Sequence, residues 1–148
     1  MLKDIKLYLF DMDGTLYLGN QLFSFTKKLL EEIKNSGSRY MFMTNNSSKS
    51  VEAYINKLDS MGIKSEKSDY ISSSMATIHY IKENYPDNTF YVCGTRSLIS
   101  EYVDSGVKVS DRYSEADAID MGYDTELTYK KLEDVCKILL SRRVLYSH

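Results

Sequence analysis

The sequence predicts an α/β fold built on a parallel sheet. A strand pattern close to its start, Ile5–Phe10, leads directly into polar residues, as a buried parallel strand does at its carboxyl end. A second strand pattern, Arg39–Met43, ends in the same way, and apolar residues at helical spacing follow it. Strand and helix patterns alternate from there on, which is the order expected of repeated strand–helix units.

The first strand pattern ends at two carboxylates one residue apart, Asp11 and Asp13, which precede Gly14 and Thr15. We expect this strand to be buried on both faces. Ligands of open α/β sheets bind beyond the carboxyl ends of the strands. A carboxylate there can attack phosphorus, so Asp11 is the candidate nucleophile and Asp13 the candidate acid and base. Two carboxylates repel a phosphate unless a hard cation intervenes, so Asp11 and Asp13 also predict a Mg²⁺ site.

The pattern Asp-x-Asp-Gly has other uses, in calcium loops and in plain turns. An EF-hand loop that began at Asp11 would need a glutamate at its twelfth position, which is Leu22. Leu22 therefore argues against an EF-hand, whereas a plain turn stays an alternative. In either case Gly14 lets the chain turn sharply, because it has no Cβ.

The second strand pattern ends in a cluster of hydroxyls and amides, Thr44 to Ser48. A helix pattern follows, with apolar residues at Val51, Tyr54, Ile55, Leu58 and Met61. A polar loop between a strand and a helix directs backbone N–H groups at an anion, so Thr44 and Asn45 are candidate phosphate-binding residues. The alternative is that this loop only turns the chain and caps the helix.

The later patterns continue the alternation of helices and strands. Pro86 ends one helix pattern, and Gly106 closes another. The last helix carries an apolar stripe of Leu132, Val135, Cys136 and Leu139. In chain order the predicted elements are a helix over Ser72–Asn84, a strand over Thr89–Cys93, a helix over Ser97–Ser105, a short strand over Lys108–Ser110, a helix from about Thr128 to Ser141 and a strand that begins at Val144–Tyr146.

The two polar motifs together resemble the haloacid dehalogenase (HAD) superfamily of hydrolases, in its NagD-like, p-nitrophenylphosphatase branch. The resemblance implies a Rossmann-like core with a parallel sheet, plus part of an inserted α/β cap domain. It implies that Asp11 is the nucleophile and a Mg²⁺ ligand, that Asp13 is the acid and base, and that Thr44 and Asn45 hold the phosphoryl group. Segments similar to the cap follow, so we expect the core over residues 1–68 and a partial cap over residues 69–148.

The sequence departs from this family in its later part. Such phosphatases use a lysine and a late acidic motif on core elements that follow the cap, and no Gly-Asp-x-x-x-Asp-like segment occurs after Asn46. Lys130 and Lys131 lie on a helix of the cap segment and are not assigned that role. We therefore expect a chain truncated within the cap, with impaired activity. Asp120 interrupts an apolar strand pattern, and since a buried charge is costly, we expect that strand at a sheet edge or poorly packed.

Composition excludes several classes of protein. The net charge of −2 and the scattered lysines argue against nucleic-acid binding, and no apolar run is long enough for a membrane span. The two cysteines, Cys93 and Cys136, lie in predicted buried elements, which suits reduced thiols and a cytoplasmic location.

Three hypotheses about function follow. The first is a Mg²⁺-dependent phosphatase of small phosphorylated metabolites that forms an aspartyl-phosphate. The second is a phosphoacceptor signalling module, which also places an aspartate at a strand end. The third is a non-catalytic fragment that binds phosphate or self-associates as a homo-oligomer.

Overall fold

A computed structural model describes residues 5–141 and the backbone of residues 144–147. The fold is α/β with parallel sheets, as the sequence predicts. Its residues form two compact units. The first comprises the described residues up to Thr44 together with Val51–Ile71, and the second comprises Asn45–Ser50 together with the described residues from Ser72 onward.

The first unit contains a three-stranded sheet in the order β1-β4-β5 and a separate hairpin of β2 and β3. Its elements are β1 (Leu7–Asp11), β2 (Tyr17–Leu18), β3 (Gln21–Leu22), α1 (Thr26–Asn35), β4 (Arg39–Thr44), α2 (Val51–Ser60), a 3₁₀ turn (Lys67–Asp69) and β5 (Tyr70–Ser72). β1 and β4 are parallel, and their register runs from Leu7 opposite Arg39 to Asp11 opposite Met43. This register brings the two polar motifs to the same end of the sheet.

Aromatic and helical residues fill the core of the first unit. The ring of Phe42 lies 5.3 Å from the ring of Tyr40 and 5.3 Å from that of Tyr70, centroid to centroid. From α2, Tyr54 and Leu58 are fully buried, as their helical spacing predicts. The expectation that β1 is buried on both faces is wrong, because Leu7 and Leu9 are 47% and 50% exposed. An apolar run indicates that a strand can be buried, but burial of both faces also requires other elements to pack against each face, which the run itself does not show.

The second unit is a four-stranded sheet in the order β7-β6-β8-β9. Its elements are α3 (Ser73–Asn84), β6 (Thr89–Cys93), α4 (Arg96–Asp104), β7 (Lys108–Val109), a 3₁₀ turn (Tyr113–Glu115), β8 (Ala118–Met121), α5 (Tyr129–Leu140) and β9 (Val144–Ser147). β6 is parallel to both β7 and β8, and β8 is parallel to β9. The three helices begin at hydroxyl N-caps, Ser72, Thr95 and Thr128, whose side chains accept a backbone N–H.

Two expectations for the second unit are wrong. The strand that contains Asp120 is β8, which lies between β6 and β9 and not at an edge. Asp120 is nonetheless fully buried, because the hydroxyl of Tyr102 donates a hydrogen bond to it over 2.7 Å. On α5 the buried residues are Asp134, Val135 and Ile138, so Val135 is the one member of the predicted stripe that is buried. Cys136, which the sequence pattern predicts to be buried, is exposed, whereas Cys93 is buried as expected.

Within the described residues, no helix is both long enough and apolar enough to traverse a bilayer.

Candidate functional site

Asp11 and Thr44 occupy the carboxyl ends of two adjacent parallel strands. Asp11 is the last residue of β1 and pairs in register with Met43, and Thr44 is the next and last residue of β4. Asp11 is exposed, whereas Thr44 is 7% exposed. The structure thus brings a nucleophile candidate and a phosphate-binding candidate together at the end of the sheet where α/β proteins bind ligands.

The loop after β1 turns Asp11 and Asp13 outward on either side of a buried anchor. Met12 is fully buried, and both carboxylates are exposed. Gly14 adopts φ +82°, a left-handed conformation that favours glycine, and its N–H donates to the carbonyl oxygen of Tyr17 over 2.8 Å. The hydroxyl of Thr15 donates to Oδ2 of Asp11 over 3.2 Å. The sharp turn expected at Gly14 is present, and Thr15 orients the candidate nucleophile.

The far end of this loop is fixed to the core. Leu16 is fully buried, and its carbonyl oxygen accepts a 2.6 Å hydrogen bond from the hydroxyl of Thr26, which is also fully buried. Asp13 forms an isolated parallel bridge with Tyr17. The carboxylates therefore lie on a loop that is held at several points, which favours a defined geometry at the site.

The hydroxyl of Thr44 meets a buried tyrosine on α2. Oγ1 of Thr44 lies 3.4 Å from the hydroxyl oxygen of Tyr54, to which it donates. Burial raises the pKa of Tyr54, the hydrogen bond from Thr44 lowers it, and the negative charges of Asp13 and Asp11 raise it further. Tyr54 thus stays neutral at physiological pH and can hold the Thr44 hydroxyl in place.

A lysine that the sequence analysis did not single out also reaches the site. Nζ of Lys57 lies 3.3 Å from Oδ1 of Asp13, and it lies 3.9 Å from the ring centroid of Tyr17. Lys57 follows Tyr54 by three residues on α2, so the two side chains share one helix face. That spacing from a buried aromatic residue is the signal that could have identified Lys57 in the sequence.

Asn45 and the loop after it belong to the second unit. The side chain of Asn46 accepts from both N and Oγ of Ser48, at 2.9 and 2.6 Å. Ser47 is buried and accepts from the N–H of Tyr123, and the carbonyl oxygen of Ser48 accepts from the hydroxyl of Thr95. Much of this polar loop therefore has structural partners, as the alternative of a turn requires. Asn45 is exposed, and its phosphate-binding role stays a prediction.

The donor set at the end of β1 suits a hard cation. Mg²⁺ is commonly bound through one or two carboxylates together with water and substrate phosphate oxygens, and Asp11 and Asp13 supply two exposed carboxylates on one short loop. In the described part of the chain, no cluster of three or more His, Cys, Asp or Glu side chains could hold a metal by itself. The residues present fit a cation whose remaining ligands are water and the phosphate oxygens of a substrate.

The described site combines a candidate nucleophile, a candidate proton donor and a candidate phosphate-binding hydroxyl, which are groups that phosphoryl transfer uses. Asp11 is an exposed carboxylate, Asp13 is a second carboxylate within the same loop, and Thr44 offers a hydroxyl on the neighbouring strand. Lys57 contributes a positive charge that contacts the carboxylate of Asp13. A carboxylate with a partner for proton transfer can attack a phosphate ester and then release the phosphate to water.

Comparison with known families and curated proteins gives a consistent result. Residues 8–108 match the model of a haloacid dehalogenase-like hydrolase. The chain is 32% identical over 131 residues to an acid sugar phosphatase of Staphylococcus saprophyticus, a match that covers 88% of this chain and 50% of that protein. An acid sugar phosphatase of Staphylococcus haemolyticus is also 32% identical over 131 residues, and 49% of it is covered. The chain thus spans about half the length of the curated relatives it matches.

Solved structures agree over nearly the whole chain. The 4-nitrophenylphosphatase of Thermotoga maritima superposes with a TM-score of 0.93 at 28% identity, over 99% of this chain and 55% of that one. A thermostable NPPase from Geobacillus stearothermophilus gives a TM-score of 0.84 at 29% identity, over 97% and 56%. A protein described as a putative nagD protein gives 0.93 at 28% identity, over 99% and 57%.

Proposed function

Because the chain belongs to the haloacid dehalogenase-like hydrolases, in the branch of NagD and the p-nitrophenylphosphatases, we propose that it hydrolyses phosphate monoesters through Asp11. The single observation that carries this proposal is the parallel register of β1 and β4. That register supports a site in which Asp11 and Thr44 contact the same phosphoryl group.

The proposed reaction has two displacement steps. A carboxylate oxygen of Asp11 attacks phosphorus, the bond from phosphorus to the ester oxygen breaks, and Asp13 donates a proton to the departing alcohol. Asp13 then accepts a proton from a water molecule as that water attacks the phosphorus of the aspartyl-phosphate. Inorganic phosphate leaves, and the carboxylate of Asp11 is restored. Thr44 and, by family resemblance, Asn45 bind phosphoryl oxygens during both steps.

We propose Mg²⁺ as the cofactor, held by Asp11 and Asp13 with phosphate oxygens. When bound, Mg²⁺ offsets the repulsion between the carboxylates and a phosphate dianion. Thr15 contributes independently, because its hydroxyl donates a hydrogen bond to Oδ2 of Asp11 and so restricts the orientation of that carboxylate.

We also propose that residues 1–68 are the N-terminal part of a catalytic core and that residues 69–148 are cap segment. The boundary of the compact units between Ile71 and Ser72 supports this division, with Asn45–Ser50 as the one part of residues 1–68 that groups with the second unit. The curated relatives are named acid sugar phosphatases, which favours small phosphorylated metabolites, sugar phosphates among them, as substrates.

The test is hydrolysis of p-nitrophenyl phosphate and of a sugar phosphate by the full chain, with and without Mg²⁺. We expect turnover that depends on Mg²⁺ and that Asp11→Asn abolishes. Asp13→Asn should lower kcat by roughly a hundredfold or more, the usual contribution of general acid–base catalysis. Asp59→Asn is the matched control, because Asp59 is a surface carboxylate of the same unit, paired with Lys64. Its turnover should equal that of the wild type.

Two outcomes would contradict the proposal. Turnover that survives Asp11→Asn would mean that another group is the nucleophile. Absence of turnover in the wild-type chain, together with Mg²⁺-dependent binding of vanadate, would instead support a phosphate-binding protein without catalytic activity.

A further inference from the structure

In the described part of the first unit, Lys57 differs from the other lysines that form ion pairs. Its side chain is only 17% exposed, whereas the side chains of Lys28 and Lys64, which pair with Glu32 and Asp59, are 82% and 87% exposed. An exposed lysine pair contributes little, because a long mobile side chain must be immobilised in water. The stem of Lys57 is already packed, so its ammonium group is held near Asp13 before any ligand binds.

The ring of Tyr17 fixes the position of this ammonium group. Nζ of Lys57 lies 3.9 Å from the centroid of the Tyr17 ring, within the range of a cation–π contact. Tyr17 is fully buried, and its backbone bridges to Asp13. Tyr17 therefore supports both partners of the ion pair: its backbone bridges to Asp13, and its ring contacts the ammonium group of Lys57.

The contact of Lys57 with Asp13 has a direct chemical use. Asp13 is half exposed, and a carboxylate on a surface loop would otherwise sample several rotamers. Lys57 engages Oδ1 and so restricts the carboxylate to one orientation. Proton transfer requires such orientation, because the acid must lie within hydrogen-bonding distance of the leaving oxygen.

We propose that Lys57 is a positioning residue for the acid and base Asp13, an inference that rests on the proposed function. Lys57 acts on catalysis through Asp13 and does not assist the nucleophilic attack by Asp11. Its effect is therefore greatest where the leaving group needs a proton. An alkyl phosphate such as glycerol phosphate needs one, whereas p-nitrophenyl phosphate has a leaving group that departs readily as an anion.

The test compares kcat/KM of the full chain for these two substrates, since kcat/KM reports the steps up to departure of the leaving group. Lys57→Met keeps the length of the stem and removes the charge. We expect it to lower kcat/KM for glycerol phosphate by roughly tenfold, part of the contribution of a general acid, and to change the value for p-nitrophenyl phosphate by less than about threefold. Lys57→Arg should restore most of the loss, and Lys64→Met, the exposed control, should change neither value.

A double variant separates positioning from a structural effect. In the Asp13→Asn background, Lys57→Met should cause no further loss, because the group that Lys57 orients can no longer transfer a proton. Circular dichroism melts would show whether each variant is folded, and Lys57→Gln replaces Lys57→Met if the latter is not.

Equal losses for both substrates, or a further loss in the Asp13→Asn background, would overturn the role assigned to Lys57. An active wild type whose Lys57→Met variant is unchanged would overturn this inference alone. A wild type that hydrolyses neither ester would overturn the proposed function, and this inference with it.

Discussion

Replacing Tyr102 with phenylalanine removes one hydroxyl from the core of the second unit and leaves the ring in place. That hydroxyl donates a 2.7 Å hydrogen bond to Oδ2 of Asp120, and both residues are fully buried. Burial is the main cause that raises the pKa of Tyr102, and the charge of Asp120 raises it further. The hydroxyl therefore remains a donor to Asp120 over the whole physiological range of pH.

The expected loss follows from the kind of hydrogen bond. A bond to a charged group contributes about 1.5–3 kcal/mol, and the buried carboxylate loses one donor when the hydroxyl is removed. We expect Tyr102→Phe to destabilise the second unit by about 2 kcal/mol, which is a roughly thirtyfold change in its unfolding equilibrium. The packing of Phe90 and Leu98 against the ring should be unchanged, because phenylalanine keeps the same apolar surface.

Amide hydrogen exchange is the suitable assay, because it reports the protection of individual strands, whereas a single melting curve averages over both compact units. The slowest amides of β6 and β8 should exchange roughly thirtyfold faster in Tyr102→Phe. The control is Tyr129→Phe, since Tyr129 is 85% exposed, and its exchange should match the wild type. Unchanged protection in β6 and β8 of Tyr102→Phe would refute the argument that this hydrogen bond makes the buried Asp120 tolerable.

Two further predictions concern the loop and the tyrosines. Gly14→Ala should destabilise the first unit by about 1–2 kcal/mol, because alanine would have to adopt the left-handed backbone conformation of Gly14, and Gly14→Asn should destabilise it less. Equal urea midpoints for the wild type and Gly14→Ala would contradict this prediction. Burial raises the pKa of both Tyr70 and Tyr91 to about 12, so above pH 10 the unfolded chain loses protons that the folded chain keeps. The free energy of unfolding should therefore fall between pH 10 and pH 12, by about 1 kcal/mol per pH unit for each tyrosine. Urea unfolding at pH 9 and pH 11 measures this fall. Tyr91→Phe should make the stability of the second unit depend less steeply on pH.

The sequence predicted most helices and strands and the position of the two polar motifs at the ends of β1 and β4, because these depend on local patterns. Helix patterns at Ser72–Asn84 and Ser97–Ser105 match α3 and α4 to within a residue at each end. The register that brings Asp11 beside Thr44 follows from two strand patterns that each end in polar residues. Such features need only periodicity and the parallel arrangement of strands.

Features that depend on tertiary contacts could not be predicted in this way. The N-cap residue of α1 is Phe25, which has no polar side chain to cap the helix, so the usual start signal is absent. The burial of Asp120 depends on Tyr102, which lies on another element, and no local pattern pairs them. The spacing of Lys57 from Tyr54 places it on a helix face that packs against the core, but no local pattern pairs Lys57 with the ring of Tyr17.

The central claim is that Asp11 is the nucleophile of a phosphoryl transfer. The most direct measurement is peptide mass spectrometry of the full chain after a short acid quench, following incubation with Mg²⁺ and p-nitrophenyl phosphate. We predict one added phosphoryl group on the peptide that contains Asp11, sensitive to hydroxylamine and absent from Asp11→Asn. Hydrolysis of the ester with no phosphoryl group on that peptide, or with the group on another residue, would contradict the account.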